Sequence, residues 1–449
     1  MASRADNIAS NLSFANFSKA TELKKRIWFT VTSLIVFRFL SFVPLPGIDP
    51  IKLKSFFERA SGGILDFFNM FSGGALTNYS LISLGVMPYI TSSIVVQLAA
   101  ALHPSLTALK KEGESGRRKL NQYSRYGAVL LAVVQGYALL HNAEAQGFAI
   151  NPGPLFYVAG LISIVGGTMF LLWLGEQITS RGIGNGVSLI IMAGIVAQMP
   201  TFISNLFEGG RTGSISGLLI LFLVAMLVGL ILLICFMERA TRRLLIQYPK
   251  RASQNGMMQA DRSHLPLKLN TAGVIPPIFA SSLLLLPLTI SQFAGSSIND
   301  DSMWGKFIGM LNLYLGHGKP VYMVLYAVLI MFFAFFYTAV VFNPEETADN
   351  LKRNGGFIPG IRPGKNTATY LDYVLTRITV IGGIYLTFVC VVPEWVIAQT
   401  GVKLFFAGGT SLLIVVNVTV DTITQIQSHL LAHQYGDLIK KAKLKGRLR

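Results

Sequence analysis

At 449 residues, 52% hydrophobic and only 13% charged, with a mean hydropathy of +0.54, the chain is too apolar to be water-soluble. A soluble domain carries about 25% charged residues. The formal net charge of +17 points to anionic partners, and two cysteines, Cys235 and Cys390, both inside apolar runs, exclude a disulfide framework and a cysteine metal site.

Met1–Ala20 is rich in Ser and Asn and fits no pattern. The first apolar run, Ile27–Val43, follows Lys24, Lys25 and Arg26 as a signal peptide would, but Pro44-Leu45-Pro46 follows it in place of a small-residue cleavage site. It reads as an uncleaved signal anchor. Gly62–Leu102 then organises the rest. Ile64–Phe71 is apolar except for Asp66 and Asn69, and Gly62, Gly63, Gly73 and Gly74 bracket it. Eight helical residues reach only about 12 Å, less than half of a hydrocarbon core of roughly 30 Å. This half-helix suggests a mobile piece in a cavity. The run that follows, Tyr79–Leu102, is long enough to span. Further runs are Tyr126–His141, Pro154–Leu174, Val187–Ile203, Ile215–Met237, Ala272–Phe293, Pro320–Phe342, Val374–Val392 and Leu404–Ile426. Together they predict an all-α membrane protein with ten transmembrane helices, and their length excludes the short alternating strands of a barrel.

Charge sets the expected topology. With the N-terminus inside, the cytoplasmic segments carry 30 of the 38 basic residues, against seven outside and Arg38 within the first span. Both termini are therefore expected in the cytoplasm. The excess has two readings that stay open at this point: contact with anionic lipid, or a docking face for something acidic such as RNA or an acidic protein. The Arg239–Lys268 and Asn343–Arg377 loops are long for a bundle, and long ordered loops are usually functional.

Gly182, Gly184 and Gly186 superficially resemble a nucleotide loop, but no strand precedes them and the spacing is wrong. An internal repeat is more informative. Gly85-Val-Met-Pro-Tyr-Ile90 in span two matches Gly273-Val-Ile-Pro-Pro-Ile278 in span seven, and Gly186-Val-Ser-Leu-Ile-Ile191 in span five matches Gly409-Thr-Ser-Leu-Leu-Ile414 in span ten. Each pair is five spans apart, and an odd offset reverses direction across the membrane. The expectation is two inverted halves, 1–205 and 206–449, the first holding 62–74 and the second the cytoplasmic loops 239–270 and 343–373. Ile90 falls mid-span and Ile278 nearer a span start. Pro88 and the Pro276-Pro277 pair are expected to weaken helices two and seven, either as packed kinks or where those helices part.

A carrier or pump places paired carboxylates, His or Lys near the midplane. Here Arg38, Glu176, Glu238, Asp421 and Asp66 form no obvious pair, and the six histidines lack metal spacing. No catalytic residue is expected either: Gly408-Gly-Thr-Ser411 lacks the flanking glycine of a nucleophile elbow. What remains is aliphatic: Val86, Ile90, Val187, Ile191, Ile278 and Ile414. Singly these read as lipid contact or ordinary core. Together they read as a hydrophobic constriction.

The motifs Phe68-Asn-Met-Phe-Ser-Gly-Gly-Ala75, Lys110-Lys-Glu-Gly-Glu-Ser-Gly-Arg-Arg-Lys119, Trp173-Leu-Gly-Glu-Gln-Ile-Thr179, Arg181-Gly-Ile-Gly-Asn-Gly186, Leu265-Pro-Leu-Lys268, Thr347-Ala-Asp-Asn350 and Pro359-Gly-Ile-Arg-Pro-Gly364 stand beside the repeat. With them the chain, from about Leu23 onward, resembles the bacterial SecY family, the channel subunits of the general protein translocase. The resemblance implies a clamshell of two inverted five-helix repeats in the bacterial inner membrane, no enzymatic activity and no cofactor. It implies a pore ring at Val86, Ile90, Val187, Ile191, Ile278 and Ile414, and a plug at Ile64, Leu65, Asp66, Phe67, Phe68, Asn69, Met70 and Phe71. It further implies a lateral gate with Thr91 and Leu286 on its facing surfaces, and docking of the SecA motor or the ribosome at Arg242, Arg243, Arg251, Lys268 and Arg362. The implied partners are SecE, SecG, SecA, the ribosome, signal sequences and nascent or preprotein chains, anionic lipids, SecDF and YidC. The rival is a secondary active transporter with inverted repeats, disfavoured by the missing midplane ion site.

Overall fold

The computed structural model describes residues 21–49, 52–53, 72–213, 215–248, 262–294, 319–400 and 409–446. Its helices in chain order are α1 (Thr21–Leu40), α2 (Met87–Leu102), α3 (Pro104–Lys111), α4 (Glu114–Ala145), α5 (Pro154–Arg181), α6 (Gly186–Ala197), α7 (Met199–Arg211) and α8 (Gly217–Arg239), then α9 (Ile275–Ala294), α10 (Pro320–Val341), α11 (Pro344–Arg353), α12 (Lys365–Thr400) and α13 (Gly409–Gly446). Between α8 and α9 lie two strands, β1 (Thr241–Gln247) and β2 (Arg262–Lys268). Within the described residues each of the ten expected apolar runs overlaps a helix. Among the described residues six are long and apolar enough to cross a membrane, α6 with α7 and α10 with α11 each counting as one, and two shorter apolar helices coincide with α2 and the start of α9.

The chain divides into two compact units, Met1–Phe207 with Ile414–Arg449, and Glu208–Leu413. In the first, α2 lies against α4: Ser92 Oγ donates to the Ser124 carbonyl at 2.7 Å, and Gly127 leaves room for Ser92 there. The chain between α1 and α2 buries Leu45, Ile48, Leu76 and Tyr79 with Leu140, Phe148, Phe156 and Ile164. At the other end Leu23, Ile183 and Leu430 form a second cluster. In the second unit, α12 packs against both α10 and α11.

Four expectations are corrected by local chemistry. Tyr79–Leu102 is not one helix: residues 72–86 are turns, and α2 starts only at Met87. Gly85 takes a left-handed φ of 57°, and Pro88 sits in the first turn, where its missing N–H costs nothing. The 16 residues of α2 reach about 24 Å. Pro88 therefore starts a helix and does not kink one. The same holds for Pro276 and Pro277, the second and third residues of α9. Val187–Ile203 breaks at Gln198, because Pro200 is the second residue of a new helix, α7. The Arg239–Lys268 segment, expected as loop, contains an antiparallel ribbon pairing Thr241 with Lys268 through to Gln247 with Arg262. Its strands alternate, and Leu244 and Ile246 are buried.

The internal repeat reappears as geometry. Gly85 and Gly273 both have left-handed φ, 57° and 65°, each two residues before its helix begins. Ile90 and Ile278 are each the fourth residue of their helices, so the difference in depth expected from run boundaries disappears. Gly186 and Gly409 each open a helix, and at both a side chain would fall well under 3.0 Å from a backbone carbonyl of the preceding long helix, Gly175 O of α5 and Val389 O of α12. Ile191 and Ile414 are then each the sixth helical residue.

Candidate functional site

Of the six aliphatic candidates, Val86 is the N-cap of α2 and is buried, and Ile90 is half-buried one turn on. Residues four apart share a helix face, so this pair points one way. Val187 and Ile191 stand four apart on α6 in the same manner. Val187 lies directly against Gly175 of α5, which fixes its rotation. Ile191 and Ile414 are buried, and Ile278 is half-buried on α9. The side chains are β-branched throughout and stiff at χ1.

Ile64, Leu65, Asp66, Phe67, Phe68, Asn69, Met70 and Phe71 lie outside the described residues, as do Gly62 and Gly63. The C-terminal side of that stretch is described. Gly73 and Gly74 both have left-handed φ, 70° and 86°, a conformation costly for any other residue type except Asn or Asp. Gly73 abuts Gly194 of α6, with no space for a side chain. Its carbonyl accepts from Arg38 Nη1 at 2.6 Å, and the guanidinium lies 4.7 Å over the Phe42 ring. Arg38, the one basic residue within the first expected span, thus ties the end of α1 to this glycine pair.

Thr91 is buried on α2, its hydroxyl donating to the Met87 carbonyl at 3.1 Å, so it presents mainly its methyl group. Leu286 falls on α9, in the part whose side chains lie outside the description.

The basic candidates lie on two segments that pack together. Arg242 and Arg243 are exposed on β1 and Lys268 on β2. Gln247 and Phe357 exchange backbone hydrogen bonds of 2.9 and 3.0 Å, joining the ribbon to the loop between α11 and α12. Beneath them Leu244, Leu267, Ala348, Ile358, Leu371, Val374 and Ile378 form one apolar cluster. Arg362 projects from that loop, exposed between Gly360 and Gly364, whose φ values of 84° and 105° make its turns. Arg251 lies outside the described residues.

The glycines of 182–186 have packing roles. Ile183 N–H donates to Thr30 Oγ1 of α1 at 3.1 Å, Gly184 N–H to Gln425 Oε1 of α13 at 2.9 Å, and Gly186 N–H to Thr179 Oγ1 at 2.9 Å. A side chain at Gly182 or Gly186 would strike neighbouring backbone.

Two of the carboxylates that looked unpaired have partners. Glu176 on α5 forms an ion pair with Arg125 on α4. Glu238 is buried at the end of α8, where Asn270 Nδ2 donates to its Oε1 at 2.8 Å. Asn270 also accepts from Gly273 N–H at 3.1 Å, so one side chain links α8 to the start of α9. The sequence reading missed Glu394. It is buried because α12 runs through Pro393 to Thr400, where the apolar run stops at Val392. That proline inside an apolar stretch is the signal that could have extended the helix. Among the described residues no three His, Cys, Asp or Glu side chains gather as a metal site.

The SecY family matches residues 80–423. The chain is 53% identical over 439 residues to the protein translocase subunit SecY of Rickettsia felis, covering 96% of this chain and 99% of that one. The solved SecY structure described by its plug domain, which stabilises the closed state of the translocation channel, aligns with a TM-score of 0.63 at 18% identity over 90% of this chain and 92% of that one. The channel of the canine ribosome-channel complex from the endoplasmic reticulum aligns with a TM-score of 0.58 at 15% identity, again over 90% and 92%.

Proposed function

The chain belongs to the SecY family, and from that premise we infer that it is the pore-forming subunit of a protein-conducting channel in the bacterial inner membrane, with both termini cytoplasmic. It passes unfolded secretory proteins across the bilayer and releases membrane proteins sideways into it. The observation that carries this reading is the repeat-matched aliphatic set, Ile90 with Ile278 at one helical position and Ile191 with Ile414 at another. Stiff apolar side chains hold no solute by charge or hydrogen bond, yet they close around an extended chain of any sequence and repel water when it is absent. A transporter needs an ion or substrate site, and the buried carboxyls Glu238 and Glu394 do not share the elements that carry this set. The chain itself catalyses nothing in this scheme, so the driving energy comes from a partner.

Within that function, Val86, Ile90, Val187, Ile191, Ile278 and Ile414 form the ring, and Ile64–Phe71 forms the plug, hinged at Gly73 and Gly74. The Arg38 bond to the Gly73 carbonyl supports this by anchoring one side of the hinge. Helices α2 and α9, with Thr91 and Leu286, form the lateral gate through which a signal sequence partitions. The halves 1–205 and 206–449 are the two repeats. Arg242, Arg243, Arg251, Lys268 and Arg362 dock SecA or the ribosome. The joined ribbon and loop support this docking because they hold their cations on one platform. SecE, SecG, SecDF, YidC and anionic lipids complete the partner set.

The test is a stalled secretory chain carrying photo-crosslinkers along its length. Crosslinks to Ile90, Ile191 and Ile278 are expected. A stalled chain that crosslinks elsewhere but never to these three would overturn the reading.

A further inference from the structure

The repeat that relates α6 to α13 pairs Val187 with a residue of a different kind. Gly186 matches Gly409 and Ile191 matches Ile414, so Val187 falls on Thr410. Each is the second residue of its helix, and each stands one turn before an aliphatic candidate of the ring. Residues four apart share a helix face. Thr410 therefore lies on the face of α13 that carries Ile414, as Val187 lies on the face of α6 that carries Ile191. Valine and threonine have nearly the same shape, but threonine brings a hydroxyl. A bare hydroxyl beside an apolar constriction would hold water there and weaken a seal that works by dewetting.

That hydroxyl has a partner. Thr410 Oγ1 and the Tyr326 hydroxyl of α10 share a hydrogen bond of 2.7 Å. Thr410 is buried and Tyr326 is 1% exposed, so each hydroxyl satisfies the other away from water. Tyr326 stacks on the equally buried Tyr322 one turn earlier, with ring centroids 6.0 Å apart, which fixes the direction of its phenol. Cys390 of α12 lies beside both hydroxyls, but sulfur is a weak hydrogen-bond partner. Gly409 sets the rotation of the same turn, because a side chain there would strike Val389 O and Cys390 Cα of α12. With the turn seated and the hydroxyl held by Tyr326, what Thr410 has left to present is its methyl group, as a valine would.

We propose that Thr410 is a further member of the apolar ring and that Tyr326 is the positioning residue that keeps its hydroxyl out of the pore. The proposal rests on the ring reading above and extends it. The second half supplies from α13 the same two positions, Thr410 and Ile414, that the first half supplies from α6 as Val187 and Ile191. Tyr326 touches no translocating chain in this scheme and acts only through Thr410.

The test is the resting ion conductance of the full-length chain in planar bilayers, with thermal unfolding in detergent micelles measured alongside. Tyr326→Phe keeps the aromatic ring and removes the phenolic oxygen. It frees the Thr410 hydroxyl, and conductance should rise roughly tenfold, the factor that corresponds to about 1.4 kcal/mol of easier wetting. Adding Thr410→Val to Tyr326→Phe removes the freed hydroxyl and should bring conductance back towards the parent value. Removing both partners is also better tolerated than removing one, so the double variant should fold at least as well as Tyr326→Phe. Ile191→Ser places a hydroxyl on a ring position directly and is the positive control. If Tyr326→Phe stays as tight as the parent while Ile191→Ser leaks, the proposal is overturned and the ring stands. If the double variant leaks as much as Tyr326→Phe alone, the leak comes from loosened packing, and the proposal is again overturned. If Ile191→Ser does not leak, the ring reading falls and takes the proposal with it.

Discussion

Replacing Gly186 with Ala tests whether the repeat is a packing device. A Cβ at this position falls about 1 Å short of the 3.0 Å that real side chains keep from a backbone oxygen, and its neighbour is Gly175 O in the middle of a helix wall. Backbone cannot rotate away as a side chain can, so α6 must shift from α5. Overpacking of this kind costs about 1–3 kcal/mol. Opposing it is the helix propensity gained from Ala, at most about 1 kcal/mol and less at the first helical position. The net expectation is a loss of about 1–2 kcal/mol. Gly409→Ala should cost a similar amount through Val389 O of α12. Gly229→Ala is the control: nothing lies within 4 Å of a side chain there, so it should be neutral or stabilising by up to about 1 kcal/mol. The assay is unfolding in mixed micelles of mild detergent and dodecyl sulfate, followed by circular dichroism. Because Val187 packs on Gly175, Gly186→Ala should also disturb the candidate ring and raise resting ion leak. If Gly186→Ala proves as stable as the parent chain, with Gly229→Ala no more stable than either, the close-approach argument fails.

Three further outcomes follow from the same structure. Deleting Ile64–Phe71 should leave the channel assembled but leaky to ions, read as conductance across planar bilayers; unchanged conductance argues against a sealing role. Arg362→Glu reverses an exposed loop charge, so protein export should fall while thermal stability stays within about 0.5 kcal/mol of the parent; normal export counts against docking there. Asn270→Ala removes the 2.8 Å bond to the buried Glu238 carboxyl and the bond from Gly273 N–H, and should destabilise the chain by about 2–3 kcal/mol in the same micelle assay. A loss below about 0.5 kcal/mol would show that Asn270 does not hold the start of α9.

The apolar runs, their order and the expected sidedness follow from the sequence, because run length and charge are local properties and the bilayer acts on them directly. The repeat was legible too, down to Gly85 with Gly273 and Gly186 with Gly409. What those glycines do was not. Whether a glycine serves as hinge, helix start or contact point depends on the atom opposite, and Gly175 O and Val389 O come from other helices. The β1–β2 ribbon was missed for a related reason. Its alternation is short, and it is held in part by Phe357, about a hundred residues away in sequence. Glu238 showed no partner in the sequence and Glu394, past the run that stops at Val392, was missed, because only packing against other helices buries them.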